Sequence, residues 1–454
     1  MKSDRLLIID GVRTPFCKAG TDLASLGADE LGRIAVNALL VRTGLDPALV
    51  DEVIFGCVAQ PVDAANVARV IALRAGVPES VPAITVQRNC ASGCEAVTLA
   101  QEKLRAGRGS IFIVGGAESM SNIPLLFKQT TAEKFNRLSR AKSASQRVQT
   151  LAAFRPSDFQ PRVGLLLGLT DPVCGLNMGE TAELLAREFG ISRAEQDAFA
   201  LQSHQRAIAA RDRLAEEICP VFPGERVGGR VWGDGGGGRG DGSGRSALAT
   251  RHASPVTVRD NGPREQQSLE ALAKLKPVFD RKTGTVTAGN ASQVTDGAVA
   301  LLVMSEERAS QLGFTPLGAL TGYAYAGCDP SRMGLGPLFA IARAEAQTGL
   351  TLADADLIEL NEAFAAQTLA VLKGAQLEKF ARKFLARERP LGEIPLDKLN
   401  VHGGAIALGH PVGATGARLV LTSLKELHRR KAQRALVTLC VGGGQGAALW
   451  VERV

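Results

Sequence analysis

Apolar runs bounded by turn residues alternate along this chain with segments of helical period. "LLIIDGVRT", "EVIFGCV", "AITVQRN" and "SIFIVGGAES" have the length and β-branched content of strands. Between them, apolar residues recur at helical spacing from Asp29 to Arg42, near 65 to 75, and from Ala91 to Arg105. The C-terminal part repeats the rhythm: "ALTGYAYAG", a helix from Pro337 to Gln347, "LIELNEAFAAQ", a helix over 412–430, then "RALVTLCVGGG" and a final strand-like "AALWVE". Strand–helix–strand order of this kind predicts an α/β sheet.

The two parts overlay loosely. "NCASGCEAVTLAQEKL" leads through a helix to "SIFIVGGAES", and "GHPVGATGARLVLTSLKEL" leads in the same way to "RALVTLCVGGG". Each half sets a reactive side chain, Cys90 or His410, at a helix N-terminus after a strand, which argues for an internal duplication. Residues 123–295 break the rhythm. They hold the basic stretch "KFNRLSRAKSASQRVQ", the amphipathic helix "ETAELLAREFG", a second helix "SRAEQDAFALQSHQRAIAARD", and a glycine-rich tract at 224–251. That tract has the composition of a flexible surface insert; a phosphate loop would need a flanking strand, helix and Lys, which it lacks.

At 454 residues the chain exceeds the size of one growing core, so at least two packed units are expected. Hydrophobic content of 45% with 22% charged residues suits a globular enzyme, and no apolar run is long enough for a membrane helix. Without a signal-peptide pattern at the N-terminus, the expected location is cytoplasmic. The net charge of +7 suits polyanionic partners or a solvated basic face, but with 4% aromatics and no basic–aromatic interleaving, nucleic acid is the weakest of these. Eight cysteines without paired CxxC spacing read as reduced thiols.

The chemistry centres on two of those thiols. Cys90 follows a strand and precedes a helix, where the positive end of the helix dipole is expected to lower its pKa; a buried core thiol is the alternative. His410, one of five histidines, lies in "GGAIALGHPVGATGAR" and can take a proton from a thiol. His204 and His428 fall on charged helices and are expected to be solvated, and His252 borders the glycine-rich tract. Cys94 is expected to pack on a helix face, with a resolving thiol for Cys90 as the alternative. "CVGGGQGAA" is not spaced as GxGxxG and is followed by a strand, so glycine amides approaching a reacting group replace the nucleotide reading.

Four stretches, "NCASGCEA", "NEAFAAQ", "GGAIALGHPVGATGAR" and "CVGGGQGAA", in this order, resemble the thiolases, the acyl-CoA C-acyltransferases. "GGAESMSN", "NMGETAELLA", "LKPVFDRKTGTVTAGNASQVTDGA" and "DPSRMGLGP" add to a resemblance that covers nearly the whole chain except the glycine-rich insert. It implies a thiolase fold: two duplicated βαβαβ-type halves with pseudo-twofold symmetry in α/β/α/β/α layers, residues 1–122 with 296–313 and residues 314–454, plus a loop domain at 123–295 covering CoA.

By motif, the resemblance implies Cys90 as nucleophile, His410 as the base that activates it, and Cys440 as the acid/base at the α-carbon. Asn361 would orient a water that stabilises the enolate oxygen together with His410, and the amides of Cys90 and Gly442 would form a second oxyanion hole. Ser292, Ala363 and Phe364 match positions near the pantetheine chain. Met178 and Met333 match residues lining the thioester site, with helix core packing the alternative for Met178. Coenzyme A is implied as a substrate, with no permanently bound cofactor and no metal.

Asn177 and the segment 377–404 look like degradative 3-ketoacyl-CoA thiolases and the thiolase subunit of fatty-acid oxidation complexes. The expected reaction is therefore CoA-dependent cleavage of 3-ketoacyl-CoA. Condensation of two acetyl-CoA and a non-catalytic acyl-CoA-binding subunit are the alternatives. A homodimer or homotetramer is implied, with a hydratase/dehydrogenase subunit as a further partner. The basic residues Lys134, Arg137, Arg140, Lys142, Arg147 and Arg155 read as contacts for CoA phosphates or a partner subunit, an anionic membrane or a merely exposed helix being the other readings.

Overall fold

The computed structural model describes residues 5–222 and 256–454; the tract at 224–251 and His252 lie outside them. The first half of the fold comprises β1 (Leu6–Arg13), α1 (Ala28–Thr43), β2 (Glu52–Gly56), α2 (Val67–Arg74), β3 (Ala83–Val86), α3 (Ser92–Arg105) and β4 (Ile111–Ser119). The middle region holds α4 (Gln129–Arg140), α5 (Ala144–Ala152), α6 (Met178–Glu188) and α7 (Arg193–Ala209). There follow β5 (Thr295–Ser305), β6 (Gly318–Gly327), α8 (Gly336–Thr348), β7 (Leu357–Leu360), α9 (Ala365–Ala375), α10 (Val412–Arg430), β8 (Arg434–Val441) and β9 (Gln445–Arg453). The expected helices and strands recur within a few residues of their predicted ends.

Sheet order exposes the duplication that the letters show only weakly. The first half runs β1-β5-β4-β2-β3 and the second β6-β9-β8-β7, and the halves join where β1 pairs with β6. In each half the first two pairings are antiparallel and the third is parallel. The fourth pairing is parallel as well: β2 with β3 in one half, and in the other a bridge from Ile358 to Leu399 where a fifth strand would lie. Beyond that position each half places its reactive residue and then its central helix, α3 or α10.

Strand residues alternate between two faces, and this sets the layers. Ile111 and Ile113 of β4 pack with Leu31 of α1 and Ile71 of α2. Phe112 and Val114 turn the other way and share a buried cluster with Leu419 of α10 and with Val437 and Leu439 of β8. Leu436 and Trp450 face outward again, onto Leu338 of α8 and Val371 of α9. Helices α3 and α10 therefore lie between two layers of sheet, giving α/β/α/β/α. Among the described residues no helix is long and apolar enough to cross a membrane.

Close approach of α3 and α10 depends on glycine. A Cβ at Gly93 would lie 2.6 Å from the Ala417 nitrogen, and one at Gly416 would lie 2.5 Å from the Cys94 nitrogen. Cys94 is buried in this contact, which accounts for it as packing. The N-terminal ends of both helices, with Cys90 and His410 just before them, thus come side by side.

The middle region is tied to β1 by charge. Arg13, 1% exposed, meets Glu217 at 3.1 Å and Asp260 through two bonds of 2.6 and 2.8 Å. Removing one partner of a buried ion pair strands the other charge in a poor dielectric, so Arg13→Ala is expected to cost about 3–5 kcal/mol, read as a lower midpoint in denaturant unfolding.

Candidate active site

The turn from β3 into α3 is built around Asn89, whose φ of 42° falls in the left-handed region that Asn tolerates better than most residues. The Ser92 amide and hydroxyl both donate to the Asn89 carbonyl, at 3.0 and 2.7 Å, and so lock the turn that presents Cys90. Cys90 is only half-buried. The Asn89 side-chain amide donates to the Gly442 carbonyl at 2.8 Å and so holds the glycine turn against the residue before Cys90. The backbone of Gly442 is therefore tied directly to the turn that presents Cys90.

The glycine run is a tight hairpin between β8 and β9, closed by the Val441–Gln445 pair, with φ of 88° at Gly443 and 79° at Gly444. Only glycine adopts two such angles at little cost. Cys440 is the penultimate residue of β8 and is buried. It packs with Met333 and Ala363, and Met178 and Phe364 close the same apolar cluster. Met178 is thus both the first residue of α6 and a wall of the site: its sulfur lies 3.3 Å from where a Gly442 Cβ would stand. Asn177 caps α6, its side-chain oxygen accepting from the Gly179 amide at 3.0 Å. Ser292, half-exposed, is held by a 2.9 Å bond from its amide to the Ala363 carbonyl.

His410 follows Gly409, where φ is 97° and a Cβ would meet the Thr295 hydroxyl at 2.2 Å. That hydroxyl accepts from the His410 amide at 3.1 Å. On the ring, Nδ1 lies 2.6 Å from the Thr415 hydroxyl, whose own hydrogen goes to the Pro411 carbonyl. Thr415 must then accept, so the network assigns the proton to Nδ1 and leaves Nε2 as the basic lone pair. Nε2 faces the Asn361 side-chain amide at 3.4 Å. The Asn361 Oδ1 is buried and accepts no hydrogen bond among the described residues, so it is suited to hold one water donor.

Glu362, beside Asn361, holds these pieces in place. Its carboxylate accepts from Ser203 at 2.6 Å, Asn400 at 2.8 Å and the Ile406 amide at 3.3 Å, linking α7 to the segments that carry Asn361 and His410. Glu118 does the same on the other side, accepting from the Gly413, Val58 and Ala59 amides.

Protonation states follow from burial. Burial pushes the Cys90 thiol up, and the backbone dipoles of Gly442 and Cys90 offset that only in part. The helix terminus was expected to lower this thiol, and desolvation outweighs it. Burial drives Cys440 well above the ordinary thiol range, with the nearby Cys90 adding to the shift. Burial also holds His410 down at about 4, assisted by the Arg418 charge. At neutral pH the site rests with two thiols and a neutral imidazole.

Because His410 is needed neutral, activity should persist well below pH 6 and fall only as pH drops through about 4. Unfolded, the same ring takes its proton near 6.5, so its contribution to stability is present above that value and is lost as pH falls toward 4. A kcat/KM profile with its acid limb near 6.5 would contradict this assignment.

Two other histidines differ from the sequence expectation of solvation. His204 is 2% exposed, accepts from the Arg264 amide at 3.2 Å and is held down at about 4 by burial. His428 is half-buried and donates to the Leu317 carbonyl at 2.6 Å. Their helices are charged on the faces that meet solvent, and each ring points inward. Thr415, Asn89, Glu362 and Glu118 were not singled out from the sequence. The one local signal was an Asn immediately before the nucleophile.

Two family models match the chain: "Thiolase, N-terminal domain" over residues 6–307 and "Thiolase, C-terminal domain" over 314–453. A 3-ketoacyl-CoA thiolase of Serratia proteamaculans is 40% identical over 452 residues, covering 99% of this chain and 97% of that protein. Among solved structures, the acetyl-CoA acetyltransferase of Bacillus anthracis superposes with a TM-score of 0.81 at 35% identity, covering 99% of each chain. The human mitochondrial 3-ketoacyl-CoA thiolase in complex with CoA gives 0.79 at 34% identity, covering 99% of this chain and 98% of that one.

Proposed function

This chain belongs to the thiolase family, and from that premise we propose that it is a 3-ketoacyl-CoA thiolase, an acyltransferase that cleaves 3-ketoacyl-CoA with CoA into acetyl-CoA and a shortened acyl-CoA. The observation that carries the mechanism is the meeting of the two turns: the side chain of Asn89, next to Cys90, bonds the carbonyl of Gly442, two residues after Cys440, at 2.8 Å, while His410 Nε2 faces Asn361 at 3.4 Å.

On this reading His410 Nε2 takes the Cys90 proton as the sulfur attacks the 3-keto carbon. The amides of Cys90 and Gly442 hold the resulting oxyanion. The C–C bond then breaks, the electron pair passes to the acetyl-CoA enolate, and the Cys440 thiol protonates the α-carbon. A water on Asn361 Oδ1, with the newly formed Nε2–H, stabilises the enolate oxygen; such donors are worth roughly 3–4 kcal/mol each. The Cys440 thiolate next takes the proton of a second CoA thiol, whose sulfur attacks the acyl-Cys90 thioester. Cys90 leaves and recovers its proton from His410. A thioester suits the exchange because its acyl group passes to another thiol at little free-energy cost.

Coenzyme A enters as substrate, under a loop domain at 123–295 that connects halves 1–122 with 296–313 and 314–454. Ser292 and the Ala363–Phe364 pair line its pantetheine arm, and Met178 and Met333 line the thioester. The protein works in the cytoplasm as a homodimer or homotetramer, with a hydratase/dehydrogenase subunit as further partner. The test compares CoA-dependent cleavage of acetoacetyl-CoA with that of a long-chain 3-ketoacyl-CoA. The longer substrate is expected to give the higher kcat/KM; no length preference would overturn the degradative assignment.

A further inference from the structure

Two residues before Cys90 stands Arg88, whose side chain leaves its own turn and reaches three other elements. Its Nε donates to Glu95 of α3 at 2.6 Å, and its Nη1 donates to the side-chain oxygen of Gln445 at 3.2 Å. The guanidinium carbon lies 4.0 Å from the centre of the Tyr325 ring on β6. The Tyr325 hydroxyl is in turn 2.8 Å from that of Thr98, one helical turn along α3 from Glu95.

Gln445 connects this cluster to the chemistry. It is the first residue of β9 and closes the glycine hairpin by pairing with Val441, so it moves with Cys440 and Gly442. On its other side Gln445 pairs with Gly327 of β6, and the Cys328 amide donates to the Gly444 carbonyl at 2.7 Å. The Asn89 side chain holds the same hairpin through the Gly442 carbonyl. Arg88 ties both the hairpin and β6 to the start of α3, where Cys90 is presented. A guanidinium suits this task because it is flat and donates in fixed directions, so it stacks on a ring while bonding two partners; an ammonium keeps only the charge. Glu95 offsets that charge, which leaves geometry as the contribution of the side chain.

We propose that Arg88 is a positioning residue: by joining Glu95, Gln445 and Tyr325 it sets the separation between the Cys90 turn and the hairpin that carries Cys440 and Gly442. The proposal rests on the proposed cleavage of 3-ketoacyl-CoA, which needs both turns at once. A placement error of about 1 Å in such a site costs on the order of 10²-fold in rate.

Steady-state cleavage and alkylation of Cys90 by iodoacetamide, measured on the full chain, test it together. Arg88→Met and Arg88→Lys are each expected to lower kcat on the order of 10²-fold with KM within about twofold of the parent value. Gln445→Leu should lower kcat roughly tenfold, the loss of one hydrogen bond to a charged group, and Arg88→Met with Gln445→Leu should be no worse than Arg88→Met alone. Alkylation needs neither Cys440 nor Gly442, so its rate and its rise with pH should match the parent's in every variant. General loosening of the Cys90 turn would slow alkylation as well as cleavage. A cation acting on the thiol would shift the pH at which alkylation rises, and a contact with CoA phosphate would raise KM for CoA at unchanged kcat. Any of these results overturns the proposal, as does full kcat in Arg88→Lys or an additive loss in the double variant. A parent chain that is alkylated at Cys90 yet cleaves no 3-ketoacyl-CoA would overturn the proposed reaction and this role with it. A parent that cleaves, with variants that cleave as fast, would overturn the role alone.

Discussion

Replacing Cys90 by alanine should lower kcat/KM for CoA-dependent cleavage by on the order of 10⁶-fold, the size of loss found when the nucleophile of a covalent mechanism is removed. No other thiol can substitute. Cys440 is buried and walled by Met333 and Ala363, and the Cys94 sulfur is engaged in the contact between α3 and α10. Serine at position 90 should be nearly as poor, because its hydroxyl loses a proton far less readily and an oxyester would not return its acyl group to CoA easily. The folded state should tolerate both changes, since Cys90 is half-buried at a turn held by Asn89 and Ser92. Activity within tenfold of the parent chain in either variant would remove Cys90 from its assigned role.

Cys440→Ala is the second large effect, and it should differ in kind. Loss of a positioned proton donor costs on the order of 10²- to 10⁴-fold in kcat. The α-carbon needs this proton donor far more than the sulfur of CoA does, because a thiolate is a stable leaving group that water can protonate. Acylation of Cys90 by a simple acyl-CoA breaks no C–C bond, so the Cys440→Ala protein should still accept an acyl group from acyl-CoA while failing to cleave 3-ketoacyl-CoA. The high position of the Cys440 thiol, fixed first by burial, suits an acid that must still hold its proton when the enolate forms. Equal loss of both half-reactions would show that Cys440 supports the site's structure instead.

The parts of this site legible in the sequence are those that rest on local signals. Cys90 and His410 each stand just before a helix, and the glycine run after Cys440 is followed by a continuous apolar, strand-like run; each pattern is local in the chain. The α/β class was legible for the same reason, the layers only through the family resemblance, and the structure strengthens the duplication through strand order where the letters match poorly.

What the sequence did not carry depends on contacts between distant segments. The protonation of Cys90 departs from the sequence expectation because a helix terminus is visible in a sequence and desolvation is not. The charged helix of His204 predicts a solvated ring, yet the ring packs beside the backbone of Arg264, sixty residues on. Thr415 sets the His410 tautomer through a hydroxyl whose direction only the folded turn fixes. The stretch around Arg140 and Arg147 shows its charge in the sequence, while the outward direction of Val148 and Leu151 emerges only once α5 is folded.

The central claim is that Cys90 carries the acyl group as a thioester, and intact-mass spectrometry of the folded protein mixed with 3-ketoacyl-CoA in the absence of free CoA tests it most directly. The account predicts one added acyl group, located on the peptide containing Cys90, with one equivalent of acetyl-CoA released and the adduct lost on adding CoA. A folded protein that binds the substrate and gains no mass would contradict it and leave an acyl-CoA-binding subunit as the better description.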